Sequence, residues 1–186
     1  ALLVRLLRSL DVPAGYYIPD RLMEGYGPSG PALVKIGEAG SRLIVTVDCG
    51  AQAFDAIAQA NAAGVETIIV DHHQCATVLP AAFAMVNPNR LDEVPDAALH
   101  GNLAAVGVAF LLGAAILRTL RTRGHFANRP EPNLMDLLDL VALGTVADVA
   151  RLTGFNRALV TQGLKVMAKR RNIGLAALMD AARLTK

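Results

Sequence analysis

Three positions in this chain carry acids or imidazoles directly after an apolar run. Asp71-His72-His73 follows Thr67-Ile68-Ile69-Val70, Asp48 ends Leu43-Ile44-Val45-Thr46-Val47, and Asp148 closes Val141-Ala142-Leu143-Gly144-Thr145-Val146-Ala147. Carboxylates and imidazoles at the mouth of a buried segment are costly to keep there unless they bind something. Together they suit a divalent cation. Two carboxylates and an imidazole form a mixed oxygen and nitrogen donor set that fits Mn2+, and an ion so held can activate water for phosphoester cleavage. In that scheme Asp48, His72 and Asp148 are metal ligands, and His73 meets a phosphate oxygen or the leaving group. Asp71 holds an imidazole in the tautomer that frees its other nitrogen. Each residue alone has a plainer reading, since an Asp after a strand is most often a turn or helix cap. Three such residues, each following a buried segment, favour a site.

The elements that must position them can be read from periodicity. Residues 42–47 are β-branched and apolar on both faces, as in a central parallel strand. After Gly50 the period changes to 3.6, with Phe54, Ile57, Ala58 and Asn61 on one side and Gln52, Asp55 and Gln59 on the other. Gly64 stops that helix and residues 66–70 return to strand, giving a βαβ unit. Both strands then run the same way, so Asp48 and Asp71-His72-His73 emerge at one C-terminal sheet edge, where open α/β sheets bind ligands. Met85-Val86-Asn87-Pro88-Asn89 reads as a short strand entering a loop, and residues 90–101 as polar and turn-rich. Helices are expected over 1–10, from Leu103 to about Arg123, over 134–143 with Asn133 as N-cap, and from about Asn156 to Arg171. Gly144 and Thr145 weaken the third of these, which puts Asp148 in a loop. The last buries Val160, Leu164 and Met167, with Lys165 and Lys169 pointing away. The fold class is therefore α/β, an open and mainly parallel sheet flanked by helices.

At 186 residues and 53% hydrophobic, the chain suits one domain with a substantial core. Eighteen Lys and Arg against 16 Asp and Glu leave it nearly neutral, which neither requires nor excludes a nucleic-acid partner. Arg118, Arg121 and Arg123 cluster at one helix end, and Lys165, Lys169, Arg170 and Arg171 at another, where helix dipoles favour cations. Cys49 and Cys75 make no disulfide framework and point to a reduced, cytoplasmic setting. The apolar stretch Leu103–Leu117 falls short of the roughly 20 residues of a membrane-spanning helix, so no membrane is expected. Residues 1–10 start in helical pattern with neither a capping residue nor Met, as though cut from a longer chain.

Val47-Asp48-Cys49-Gly50, Val70-Asp71-His72-His73-Gln74 and Gly144-Thr145-Val146-Ala147-Asp148-Val149 resemble, in order and setting, three signature motifs of the DHH phosphoesterase superfamily. Tyr17-Ile18-Pro19-Asp20-Arg21, Glu24-Gly25-Tyr26-Gly27, Val86-Asn87-Pro88-Asn89, Ala105-Val106-Gly107-Val108-Ala109-Phe110, Leu152-Thr153-Gly154-Phe155-Asn156-Arg157 and Gly163-Leu164-Lys165 narrow the likeness. They resemble the RecJ-type single-strand-specific 5′→3′ DNA exonucleases of that superfamily, across essentially the whole chain.

The resemblance implies a two-metal site for Mn2+ or Mg2+ in which Asp48 bridges the ions, His72 ligates one and Asp148 the other. It places His73 at the scissile phosphate with Asp71 supporting it, and Arg21 and Tyr26 beside the bound strand of single-stranded DNA. It implies a role in DNA repair and recombination. Residues 1–186 would be a DHH catalytic domain whose first acidic motif lies before residue 1 and whose C-terminal DNA-binding domains lie beyond the end. Such a fragment would be inactive alone. Ala150-Arg151 stands where the family has Val/Ala-Pro, and Cys75 where it has Pro or Gly. The alternatives are a phosphodiesterase of small oligonucleotides or cyclic dinucleotides, and a catalytically dead module binding nucleic acid or a replication partner.

Overall fold

A computed structural model describes residues Ala1–Leu184. In chain order the elements are α1 (Leu2–Ser9), α2 (Arg21–Glu24), α3 (Gly30–Glu38), β1 (Leu43–Val47), α4 (Phe54–Ala62), β2 (Glu66–Val70) and β3 (Ala84–Val86). There follow α5 (Ala105–Thr122), α6 (Leu138–Ala147), α7 (Gly154–Met167) and α8 (Ile173–Ala181). They form two compact units, Gly15–Val108 with the sheet, and Ala1–Ala14 with Ala109–Lys186, which is helical.

In the sheet unit the strand order is β1-β2-β3, all parallel. Val47 lies opposite Val70, and Val70 opposite Val86, so the three strands end level. The register extends one residue further on each strand: Asp48 N–H donates to the Val70 carbonyl at 2.9 Å, and Asp71 N–H to that of Val86 at 3.1 Å. Leu33 of α3, Ile57 and Ala60 of α4, Val65 and Ile69 pack as one buried cluster, joined by Ile44 and Met85. This apolar layer fixes the sheet against its helices and so holds the strand ends in place.

Two expectations need correcting here. β1 is an edge strand of the described sheet rather than a central one, and Leu43 and Val47 are 48% and 42% exposed. Apolarity on both faces made it look central, but exposure follows the strand's place in the order, which its own sequence does not encode. The buried face of α4 is Ala56, Ile57 and Ala60, while Phe54, Ala58 and Asn61 are exposed. Alanines at positions 53, 56, 58, 60, 62 and 63 blur the helical phase.

In the helical unit Leu2, Leu6 and Leu10 are buried, and Leu6 and Leu134 close on Gly113 of α5. By length and apolarity alone α5 could cross a membrane, but 39% of it is buried inside the structure. Asn133 caps as expected, accepting Met135 N–H at 3.2 Å, but one 3₁₀ turn (Leu134–Leu137) precedes α6. α6 then continues through Gly144 and Thr145 to Ala147, past the expected end at residue 143. Thr145 is fully buried, so packing overrides its weak helix propensity. α7 buries Asn156, Leu159, Val160 and Gly163; Leu164 is exposed, because the inward face runs one position earlier than the expected Val160-Leu164-Met167 set. Gly163 lets α7 close on α6: a Cβ there would stand 2.2 Å from the Leu138 carbonyl oxygen. Outside the sequence expectations lie α2, α3, α8 and a 3₁₀ turn at Pro95–His100 inside the expected loop.

Candidate metal centre at the sheet edge

Asp48 and the Asp71-His72-His73 triplet sit side by side because β1 and β2 end in register. Donor atoms of Asp48, Asp71, His72 and His73 all lie within 4.8 Å of one another. Asp48 has φ +65°, a left-handed conformation that Asp tolerates better than most residues and that marks strained functional positions. Its Oδ1 stands 3.1 Å from His72 Nε2. That is a direct contact distance for the pair as it stands, and it also matches the roughly 3 Å between adjacent ligands on an octahedral cation with bonds of about 2.1 Å.

Asp71 plays a different part. It is 1% exposed and accepts hydrogen bonds on both oxygens from within the protein. Oδ1 accepts N–H of His72 at 2.8 Å and of His73 at 3.3 Å, and meets His73 Nδ1 at 2.6 Å, while Oδ2 accepts Ala51 N–H at 2.9 Å. Burial pushes its pKa up, but the bond with His73 and the three backbone donors outweigh that and bring it below the ordinary carboxylate value. An ionised Asp71 needs a proton on His73 Nδ1, which leaves Nε2 of neutral His73 as the free ring nitrogen. Ala51 lies in the β1–α4 connection, so one buried carboxylate ties the two strand-end loops together. Gly50 makes that close approach possible at φ +112°, where a Cβ would lie 2.8 Å from Thr46 Oγ1.

Two amides that the sequence reading left unassigned complete the support. Asn87 Nδ2 donates to the His73 carbonyl at 2.9 Å, and Asn89 Nδ2 to the His72 carbonyl at 2.6 Å and that of Gly101 at 3.0 Å. Their signal was the Asn-Pro-Asn run after β3, at the same sheet edge as the triplet. Burial first, then the charges of Asp71 and Asp48, push the Cys49 thiol up to about 11, so it is neutral at ordinary pH.

Beside His73 and Asp71 a cleft of about 800 Å³ opens, with Tyr26, Gly30, Gly50, Gln52, Phe54 and Gln59 among its lining. Arg21 lies over the Tyr26 ring, 5.2 Å from its centroid, so the two expected substrate contacts are neighbours, and Tyr26 shares the cleft with His73. Asp148 belongs to the helical unit. It caps the C-terminal end of α6 with N–H to the Gly144 carbonyl at 3.0 Å and is exposed. A carboxylate at the negative end of a helix is unfavourably placed, and Val149 after it has φ +56°, rare for a β-branched residue. The φ of Val149 belongs to the helix stop itself: Val149 N–H donates to the Val146 carbonyl at 3.0 Å and Ala150 N–H to that of Thr145 at 3.2 Å, closing the last turn of α6.

Parallel strands with carboxylate and imidazole donors at their C-terminal edge, beside an open cleft, define an α/β domain with a candidate cation centre. A family model described as the DHH family, N-terminal domain, matches residues 1–145, and the chain belongs to that family. It is 43% identical over 98% of its length to the single-stranded-DNA-specific exonuclease RecJ of Dickeya dadantii, and 42% identical to that of Escherichia coli. It spans 32% of the length of each. A crystal structure of exonuclease RecJ bound to manganese is similar at a TM-score of 0.78 and 34% identity, covering 99% of this chain and 44% of that one. The RecJ of Thermus thermophilus in complex with Mn2+ matches at 0.69 and 32%, over 97% of this chain and 24% of that one.

Proposed function

We propose that this chain carries the catalytic centre of a metal-dependent 5′→3′ exonuclease that hydrolyses single-stranded DNA in repair and recombination. The observation that carries this reading is the Asp48–His72 pair, spaced for a shared cation beside an imidazole whose outer nitrogen is free. Asp48 and His72 would hold manganese or magnesium, with Asp148 as the expected further ligand. The ions would supply positive charge at the reacting phosphate and lower the pKa of the attacking water.

The residues' own parts follow from the geometry. His73, oriented through Nδ1 by Asp71, presents Nε2 to a phosphate oxygen; in its protonated form it donates there. Asn87 and Asn89 hold the His72-His73 backbone against displacement. Tyr26 offers a ring face to a base, and Arg21 a charge to the backbone. The two free thiols support a reducing, cytoplasmic setting. In the full-length gene product, Asp48→Ala and Asp148→Ala should each abolish Mn2+-dependent release of mononucleotides from 5′-labelled single strands. Full activity in both variants, or faster cleavage of dinucleotides than of long strands, would count against the reading.

A further inference from the structure

The two units differ in charge far more than the near-neutral chain suggests. The sheet unit holds 4 Lys and Arg against 10 Asp and Glu, a net of −6; the helical unit holds 14 against 6, a net of +8. The excess is concentrated. Between Asp148 and Asp180 there is no carboxylate, while Arg151, Arg157, Lys165, Lys169, Arg170 and Arg171 are all there. Arg170 pairs with Asp180. Among the described residues Arg151, Arg157, Lys165, Lys169 and Arg171 pair with no carboxylate, and all five are exposed.

We propose that the exposed face of α7, with Arg157 and Lys165 on it and Lys169 just beyond its end, is a nucleic-acid backbone-binding surface built from residues that do not line the cleft beside His73. On α7 the buried set Asn156, Leu159, Val160 and Gly163 marks one side, and Arg157, Thr161 and Lys165, at i, i+4 and i+8, lie together on the opposite one. The helix dipole explains Lys165 in the last turn, but not Arg157 in the first turn, where a cation is disfavoured and an anionic ligand favoured. That face has no aromatic residue. Phosphate contacts need only placed charges, and cations repeated along one helix face without paired carboxylates supply them, which favours a nucleic-acid backbone as occupant.

The choice of single-stranded DNA as occupant rests on the nuclease reading; the basic face itself does not. The test is therefore run in EDTA, where no metal-dependent cleavage contributes. Anisotropy of a labelled oligothymidylate of about twenty nucleotides is followed against salt for the chain and for Arg157→Gln/Lys165→Gln/Lys169→Gln. Each lost phosphate contact removes roughly 0.7 from the log–log salt slope for single strands, so the triple variant should lose about 2 and bind at least about tenfold more weakly at low salt. Arg121→Gln, which breaks only the exposed Arg121–Glu131 pair, should leave the slope unchanged. An unchanged slope in the triple variant, no DNA binding by the chain, or tighter binding of polyglutamate than of DNA would each overturn the proposal. A fallen slope would uphold it even if the full-length protein proved not to cleave DNA.

Discussion

At the scale of single residues, two carboxylates 23 positions apart in sequence do opposite work. Asp48 is half exposed and strained toward His72, so its oxygens remain available to a cation. Asp71 is buried and spent on His73 and three backbone amides. Because the folded state lowers the Asp71 pKa, its ionised form stabilises the fold above the ordinary Asp value of about 3.9, and that contribution is lost as pH falls through the depressed value. Asp71→Asn should cost roughly 1–3 kcal/mol at pH 7 and show a smaller loss of stability than wild type between pH 7 and pH 3. Urea midpoints at the two pH values decide this; parallel losses would contradict it. Asn89→Ala removes the donor to the His72 carbonyl, and outer partners of metal ligands typically matter by roughly 10–100-fold in affinity. Mn2+ titration of that variant should show a loss of this order, and unchanged affinity would leave Asn89 a purely local contact.

At the scale of elements, close approach between backbones sets what can be changed. Gly163 sits against the Leu138 carbonyl and Ala142 Cβ, so Gly163→Val must push α7 off α6 and should cost at least about 1–3 kcal/mol. A thermal midpoint equal to wild type would show that the helices can separate freely. This scale also shows why parts of the fold were legible and others were not. Asp48 and the triplet could be placed at one edge because a βαβ unit forces parallel strands to end together, whatever packs around them. The edge position of β1, the phase of α4 and the outward turn of Leu164 depend on neighbours distant in sequence. Gly144 and Thr145 weaken a helix locally, yet α6 runs through them because Thr145 packs into the interior. Asn87 and Asn89 carry no charge and resemble turn formers, so their grip on the triplet's backbone became visible only with the strand order.

At the scale of the whole molecule, a net charge of +2 conceals an acidic unit bearing the candidate metal centre and a basic helical unit. A centre crowded with Asp48 and Asp71 favours cations and repels a polyanion until its charge is neutralised. Mn2+ at saturating concentration should therefore tighten single-stranded DNA binding by the chain, and Asp48→Asn should reduce that gain. Equal affinity with and without the ion, measured by anisotropy at constant ionic strength, would show that the centre does not take part in binding.

Whether Asp48 and His72 share a divalent cation decides the chemistry of the sheet edge. Anomalous diffraction at the manganese edge from crystals grown with Mn2+ tests it most directly. A peak is expected within coordination distance of both Asp48 Oδ1 and His72 Nε2, absent in Asp48→Asn. An ordered sheet edge with no peak there at saturating Mn2+, or a peak that survives loss of the Asp48 carboxylate, would contradict a shared cation.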